Sequence, residues 1–205
     1  MQFKLFQAEL RGIEWGETLS QETQKEWMER LRLLELAPAV QVPRFVGIQS
    51  QTNNQHLRLI CLSDASKLAG GAAIYAGVRL ESGHYTCQLL TTKSKLLDAT
   101  VPRNELSAIL LLADLVLKVQ RVIGPQIKEI IYATDSSIAL SWCHNTTLKL
   151  RLFVYNRVEA IRRLINWTTD KESPPLFHIR GEDNLADWVT KIKPITIDSI
   201  GAASE

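Results

Sequence analysis

The segment LRLICLSDAS at residues 57–66 decides the fold class, because it is an apolar run that ends abruptly in an acid. The segment IKEIIYATDSS at residues 127–137 has the same pattern. Both apolar runs predict buried strands, with Asp64 and Asp135 at their carboxyl ends and small residues after them. Ligands bind outside the carboxyl ends of strands in α/β sheets, so the two acids lie side by side if the strands are parallel neighbours. The alternative is that each aspartate merely caps or turns the chain.

The surrounding sequence predicts the order βββαβααβα, a mixed α/β fold in which helices cover a five-stranded sheet. Strands are predicted over residues 57–63, 70–80, 84–93, 127–134 and 176–179. The first three form an antiparallel meander. Helices are predicted over residues 102–121, 136–143, 150–165 and 183–191, the last with Asp183 as its N-cap.

The first 50 residues differ in character from the rest of the chain. They contain one clear helix pattern, over residues 20–36, with Ser20 as N-cap. The polar, uncharged stretch at residues 49–55 predicts a linker. We therefore expect a connection segment over residues 1–50, mainly one helix, followed by an α/β domain over residues 56–193 and a tail over residues 194–205.

Composition limits the function classes. The 205 residues have a net charge of +2, with 45% hydrophobic and 22% charged residues, as in ordinary globular proteins. So small a charge does not indicate a nucleic-acid-binding protein, and any basic surface must be local. Cys61, Cys87 and Cys143 have no CxxC spacing, which argues against a zinc site or a disulfide framework and predicts reduced thiols. No apolar stretch is long enough to span a bilayer.

Glu105 does not fit its surroundings. Helical periodicity places it on the apolar face of the helix predicted over residues 102–121, whereas Asn104 falls on the polar stripe. A carboxylate on that face must be paired, protonated or bound to a cation. Pairing with Arg103 is the alternative to a metal-ligand role at the helix start.

A fourth acid, Asp187, lies in the last predicted helix, and Glu182 and Asp183 precede it closely. Three or four carboxylates on rigid elements suit two Mg²⁺ ions that act on a phosphodiester, since Mg²⁺ prefers oxygen ligands. The chain has no Cys/His cluster, no GxxxxGK[ST] motif and no GxSxG motif, so zinc chemistry, nucleoside triphosphatases and α/β-hydrolases are disfavoured.

Several motifs in this order resemble the four catalytic blocks of retroelement ribonuclease H, most closely that of BEL/Pao-type LTR retrotransposons. They are SDAS at 63–66 with GGAAIY at 70–75, VPRNEL at 101–106, ATDSS at 133–137 and HIRGEDNLAD at 178–187. SIALSWCHN at 137–145 and FVYNRVEAIRRL at 153–164 point to the same elements. The front segment, WGETLSQETQKEWMERL followed by VPRF, resembles the end of the connection after their polymerase.

The resemblance implies a ribonuclease H-like α/β fold, in which the five-stranded mixed sheet has three antiparallel and then two parallel strands. It implies an acidic tetrad of catalytic and metal-binding residues that consists of Asp64, Glu105, Asp135 and Asp187. Two Mg²⁺ ions, with Mn²⁺ as a possible substitute, would be bridged by Asp64. Glu105 and Asp135 would complete one metal site and Asp187 the other. One departure is Leu185, where the family usually has proline in a Pro-Ala-Asp block.

The implied activity is endonucleolytic hydrolysis of the RNA strand of RNA–DNA hybrids during reverse transcription, which leaves 5′-phosphate and 3′-hydroxyl ends. The implied partners are the hybrid and the polymerase domain of the same polyprotein, with no membrane. The chain is expected to be a segment of that polyprotein. The expected location is the cytoplasm, within virus-like particles.

Substrate contacts are expected from Arg103, Asn104, Ser136 and His178. His178 has a structural role as its alternative. Residues 144–163 carry a local charge of +4 from Lys149, Arg151, Arg157, Arg162 and Arg163 against Glu159, which indicates either a phosphate footprint or a solvated basic face. Arg157 falls on an apolar helix face and is expected to pair with a buried acid. Trp142 either stacks on substrate or packs in the core.

Two other functions compete with this one. A former retroelement domain could persist as a nucleic-acid- or protein-binding scaffold that does not cut, although all four acids are intact. An integrase or a junction resolvase of the same fold is the second, but a fourth acid in a terminal helix favours ribonuclease H.

Overall fold

The computed structural model describes residues 2–36, 57–79, 82–167 and 175–190. They fall into two compact units, residues 2–36 in the first and the described residues from 57 to 190 in the second. The boundary predicted near residue 50 and the tail predicted over residues 194–205 lie outside the described residues.

The first unit contains two helices, α1 (Gln2–Glu9) and α2 (Gln21–Leu36). Ser20 caps α2 as predicted, because its hydroxyl accepts the Thr23 N–H at 3.2 Å. The expectation of mainly one helix overlooked α1, which is too short for a reliable periodic signal. Phe6 of α1 stacks on Trp27 of α2 with ring centroids 5.7 Å apart, so the two helices pack through aromatic rings.

The second unit is built on a five-stranded sheet of order β3-β2-β1-β4-β5. The strands are β1 (Leu57–Ala65), β2 (Ala69–Arg79), β3 (Tyr85–Leu96), β4 (Ile127–Thr134) and β5 (Leu176–His178). β2 pairs antiparallel with β1 and β3, whereas β4 pairs parallel with β1 and β5. The predicted fold class is therefore confirmed: three antiparallel strands followed by two parallel ones, flanked by helices.

The sheet separates two packing layers of unequal size. The helices of this unit are α3 (Val101–Ile123), α4 (Ser137–His144), α5 (Leu152–Leu164) and α6 (Asp187–Thr190). The larger core packs Leu59 and Ile74 of the sheet against Leu112 of α3 and Ile161 of α5, all with no exposed surface. A smaller cluster of Leu62, Ala73, Ala133 and Ala186, with Val189 beside it, lies on the other face under α6.

Two thiols, Cys61 and Cys143, are buried and Cys87 is exposed, and all three are free. Burial raises the pKa of the Cys143 thiol to about 12, so it packs as a neutral group. Within the described ranges, no helix has the length and apolarity needed to cross a membrane.

β1 is longer than predicted, and Asp64 lies within it rather than after it. Asp64 and Ala65 pair with Gly71 and Gly70 of β2, which extends the antiparallel ladder beyond Ser63. The acid is thus held by strand hydrogen bonding on a rigid element.

The prediction of one continuous helix over residues 183–191 is wrong. The chain forms a 3-10 turn over Gly181–Asp183 and then the short helix α6, and residue 191 lies outside the described residues. Asp183 is not an N-cap, because it is the last residue of the 3-10 turn, and its carboxylate accepts a hydrogen bond from Arg180 at 2.8 Å. The Asn184 side chain bonds the backbone at Ser63 and Ala186, which replaces helical hydrogen bonds at this point.

Asn104 is fully buried, although the sequence placed it on the polar stripe of its helix and among the substrate contacts. Its amide donates to the carbonyls of Ser66 and Lys67 at 3.2 and 3.0 Å, and its oxygen accepts the Ala99 N–H at 3.2 Å. The side chain ties the start of α3 to the β1–β2 turn, and the prediction of a substrate contact is wrong.

Replacing Asn104 by Ala should lower the free energy of unfolding by about 1–3 kcal/mol, because three backbone groups lose their partner. Urea unfolding of the metal-free chain measures this change. Asn156→Ala, at an exposed position of α5, is the matched control and should change stability little. Equal effects of the two substitutions would contradict the structural role of Asn104.

Candidate active site

Two of the predicted acids meet at the carboxyl ends of neighbouring strands. β1 and β4 are parallel, and Ser63 pairs with Thr134 at the end of their ladder. The next residues along the two strands are Asp64, which is 8% exposed, and Asp135, which is partly exposed. The two strands are therefore parallel neighbours, which is the arrangement that places the two acids side by side.

Glu105 enters from the first turns of α3 and is also partly buried. The Ser136 hydroxyl donates a hydrogen bond to Glu105 Oε2. The same hydroxyl accepts the Ala139 N–H at 3.1 Å and so caps α4. Ser136, expected to contact substrate, thus joins the start of α4 to the Glu105 carboxylate and is itself only 4% exposed.

The alternative that Arg103 neutralises Glu105 is not supported. Among the described residues, none of Asp64, Glu105 and Asp135 forms a salt bridge. The Arg103 guanidinium instead lies 5.2 Å from the centre of the Phe153 ring. The Glu105 charge has a hydroxyl partner but no cation partner in the described part of the chain.

Asp187 is the first residue of α6. Burial is the main cause that raises the pKa of Asp64, and the charge of Asp187 raises it further, so these two carboxylates lie within electrostatic reach of one another. Glu182 and Asp183, the other candidates, each form an ion pair with Arg180 at 2.8 Å on the exposed surface. Of the three acids in this region, Asp187 is the one coupled to Asp64.

The carboxylates repel one another. Burial raises the pKa of Asp64, and the charges of Asp135 and Asp187 raise it further, against a lowering by the Thr190 hydroxyl. Burial likewise raises the pKa of Glu105, the Ser136 hydroxyl lowers it, and the charges of Asp135 and Asp64 raise it. Asp64 is therefore coupled to each of the other three acids.

The donor chemistry fits a hard divalent cation, because the cluster offers only carboxylate oxygens and its charge is largely uncompensated. In the part of the chain that the structure describes, however, no three His, Cys, Asp or Glu side chains converge closely enough to hold an ion as they stand. Two of the carboxylates, those of Asp64 and Glu105, face hydroxyl donors instead.

His178 lies at the end of β5, where it pairs with Thr134 of β4. Its ring is exposed, and Nε2 lies 3.2 Å from the backbone oxygen of Asp135, a contact in which the nitrogen donates and the carbonyl accepts. His178, predicted from the sequence as a substrate contact, therefore lies next to Asp135 on the side that faces solvent.

A cleft of about 560 Å³ opens between the start of α3, α4 and the loop before α5. Its lining combines apolar side chains with the cations Arg103, Lys149 and Arg151, and Trp142 is among the apolar ones. Arg103 lies two residues before Glu105 on α3, and its side chain lines this cleft. The sequence indicated these cations, but not that they share a surface.

Arg157 and Arg162 do not belong to that surface. Arg157 lies 3.5 Å from the centre of the Phe153 ring and donates to the Ser107 hydroxyl at 3.1 Å, so the expected pairing with a buried acid is wrong. Arg162 donates to the carbonyls of Cys143 and Asn145 at the end of α4. Both arginines hold helices together. Without them, the local charge of +4 counted over residues 144–163 falls to +2.

Sequence reasoning missed Thr190, whose hydroxyl donates to Asp64 Oδ2. It missed Asn184 as well, whose amide donates to the Ser63 carbonyl at 2.9 Å. Both side chains are 2% exposed. No local pattern could have found these contacts, because each bridges more than a hundred residues of chain.

Asp64→Asn should raise the melting temperature of the metal-free chain, because it removes a buried charge that three other acids repel. A raised pKa in the folded state means that the wild type loses stability as the pH rises through it. The advantage of the variant should therefore be full above the raised pKa and disappear as the pH falls to the ordinary aspartate range.

Asp114→Asn is the control of opposite sign. Its hydrogen bond from Lys118 lowers the pKa of Asp114, so this substitution should not raise the melting temperature. Thermal unfolding in EDTA over a range of pH measures both variants. A wild type that is more stable than Asp64→Asn at neutral pH would contradict the repulsion described above.

Comparison with known proteins gives the chain its family. The model of the Pao retrotransposon-like RNaseH-like domain matches residues 1–136, a span that includes Asp64, Glu105 and Asp135 but not Asp187. No curated protein matches the sequence.

Solved structures give likenesses at low identity. The N-terminal RNase H domain of a Mycobacterium tuberculosis protein has 13% identity and a TM-score of 0.42, covering 72% of this chain and 96% of that one. LC11-RNase H1 in complex with an RNA/DNA hybrid has 16% identity and a TM-score of 0.42, covering 73% and 99%. The protease–reverse transcriptase of prototype foamy virus has 17% identity and a TM-score of 0.39, covering 77% of this chain and 20% of that one. The family model matches well over half of the residues of this chain, so the chain belongs to the Pao retrotransposon-like RNaseH-like domain family.

Proposed function

We propose that the chain is a ribonuclease H, an endonuclease that hydrolyses the RNA strand of RNA–DNA hybrids during reverse transcription. The observation that carries the proposal is the grouping of Asp64, Glu105, Asp135 and Asp187, in which the buried Asp64 and the partly buried Glu105 are repelled by their acidic neighbours. Among the described residues, the first three of these acids form no salt bridge. Electrostatic repulsion of this kind destabilises the folded state, and carboxylates with strongly perturbed pKa values are typical of functional sites. Family membership adds support, because the matched family is named for the ribonuclease H fold.

The proposed cofactor is a pair of Mg²⁺ ions, which Mn²⁺ could replace. The four carboxylates would hold them, with Asp64 shared, since it interacts electrostatically with each of the other three. When bound, such ions activate a water and stabilise the leaving oxygen of a phosphodiester.

The protein's own groups support this chemistry in distinct ways. Ser136 donates to Glu105 and favours its ionised form. His178 is exposed next to Asp135, where its ring donates a hydrogen bond to the Asp135 backbone carbonyl. Leu62, two residues before Asp64 on β1, belongs to a buried apolar cluster with Ala186, the residue before Asp187.

The cleft beside Glu105 is proposed to hold a nucleic-acid strand. Arg103, Lys149 and Arg151 provide positive charge for phosphates, and the Trp142 side chain adds a flat apolar surface on the same wall. Arg103 would contact substrate through this cleft. The overall charge of +2 is thus compatible with a local phosphate-binding surface.

We further propose that the polymerase domain of the same polyprotein is a partner, with the first 50 residues as the end of its connection. This proposal is supported by the retrotransposon family of the match, which includes those residues. The cytoplasmic virus-like particle is the corresponding proposed location.

A non-cutting scaffold is the alternative, and the lack of converging carboxylates among the described residues favours it. A scaffold would bind hybrid equally well with and without EDTA and would leave both strands intact. An integrase-like nuclease would retain activity without Asp187, so Asp187→Asn separates that possibility.

A labelled RNA–DNA hybrid incubated with Mg²⁺ tests the proposed activity. The wild type should cut only the RNA strand, EDTA should abolish cutting, and Asp135→Asn should reduce the rate at least about 100-fold through loss of a charged ligand. Asp114→Asn makes the same chemical change about 14 Å along α3 from Glu105 and should cut normally. Hybrid that is bound but not cut by the wild type would contradict the enzyme and favour the scaffold.

The double substitution Lys149→Gln/Arg151→Gln tests the cleft. It should raise KM for the hybrid several-fold at low salt and reduce the slope of log KM against log salt by about 1–2, while kcat stays near wild type. Arg121→Gln/Lys128→Gln removes two exposed cations near the opposite end of α3 and is the matched control. Equal changes in KM for the two pairs would contradict a strand in the cleft.

A further inference from the structure

The segment that carries Asp187 is fastened to the central strand at two points. Before Asp187, the Asn184 amide donates to the Ser63 carbonyl at 2.9 Å. After it, the Thr190 hydroxyl donates to Asp64 Oδ2. Asp187 is therefore bracketed by two side chains that bond to consecutive residues of β1.

The backbone of β2 makes this fastening possible. Gly71 pairs with Asp64 across the β1–β2 ladder. A Cβ atom at Gly71 would lie 2.8 Å from Thr190 Cγ2 and 2.9 Å from the Val189 side chain, closer than real contacts allow. Glycine at this position lets α6 rest directly on β2, and that places the Thr190 hydroxyl against Asp64.

The two branches of the Thr190 side chain thus have separate tasks. The Cγ2 methyl packs on Gly71, and the Oγ1 hydroxyl bonds the Asp64 carboxylate. The hydroxyl also lies 3.3 Å from the Asp187 carbonyl, but its single proton favours the carboxylate, which is the stronger acceptor. The Thr190 hydroxyl therefore contacts both the carboxylate of Asp64 and the backbone of Asp187.

We infer that Thr190 is a positioning residue for the cation site: its hydroxyl fixes the Asp64 carboxylate and holds Asp187 in register with it. One hydroxyl occupies one of about four lone-pair positions of a carboxylate, so the remaining ones stay open to a cation. This inference rests on the proposed function, since it gives Thr190 its role through metal-binding acids. Residues that orient metal ligands typically contribute about 10- to 100-fold to metal affinity or activity.

Two conservative variants separate the hydroxyl from the methyl. Thr190→Val keeps the branched shape that packs on Gly71 and removes the hydrogen bond. Thr190→Ser keeps the hydroxyl and removes the methyl. Each is compared with the wild type in hybrid cleavage, in Mn²⁺ titration calorimetry of the metal-free chain, and in thermal unfolding in EDTA.

Thr190→Val should lower kcat about 10-fold or more with KM for the hybrid unchanged, and should weaken Mn²⁺ binding by a similar factor. Thr190→Ser should stay within about 3-fold of wild type in both, even if its melting temperature is lower, because it keeps the hydrogen bond. A purely structural role predicts the reverse order, with the effects following the melting temperature.

Wild-type levels of kcat and Mn²⁺ affinity in Thr190→Val would overturn the inference while leaving the ribonuclease intact. Greater losses in Thr190→Ser than in Thr190→Val would also overturn it. A wild type that binds Mn²⁺ without cutting hybrid would refute the proposed function alone, because the calorimetric order of the two variants still tests the positioning role.

Discussion

The parallel pairing of β1 with β4 is the constraint on which the site depends. It aligns two strand ends at one edge of the sheet, so that Asp64 and Asp135 follow the paired residues Ser63 and Thr134. Parallel neighbours need a long crossover, and α3 is part of that crossover. Its first turns bring Glu105 to the same edge, while one face of the helix, which includes Leu106, Ile109 and Leu112, is buried. A single topological choice thus gathers acids that are distant in sequence.

Bringing these acids together lowers the stability of the fold, because their charges repel one another. Hydroxyl groups of the surrounding side chains, rather than cations, are the hydrogen-bond partners of two of the carboxylates. Ser136 bonds Glu105, and Thr190 bonds Asp64. A neutral donor stabilises a carboxylate without cancelling its charge, so the cluster keeps its attraction for a divalent ion. Arg103, the nearest arginine in sequence to Glu105, is held away from it over Phe153. The local arrangement therefore preserves uncompensated negative charge.

The sequence predicted what depends on periodicity and on repeated local patterns. Strand β4 was predicted with its observed bounds, the sheet class was correct, and Asp64, Glu105 and Asp135 were singled out as candidate ligands. Asp187 was selected over Glu182 and Asp183 only through the family resemblance. Prediction from sequence failed where tertiary contacts outweigh local preference. Asn104 looks polar on a helical wheel but satisfies three backbone groups in the interior. Arg157 and Arg162 look like a phosphate footprint but serve as helix contacts, and Thr190 reaches Asp64 only through the fold.

Paramagnetic broadening by Mn²⁺ in amide NMR spectra tests most directly whether the four carboxylates form a cation site. Small additions of Mn²⁺ to the metal-free chain should first broaden the amide signals of Asp64, Glu105, Asp135 and Asp187 and their neighbours. EDTA should restore those signals. Broadening centred on the exposed pair Glu182 and Asp183 instead, with the four acids unaffected, would show that the cluster does not bind the ion.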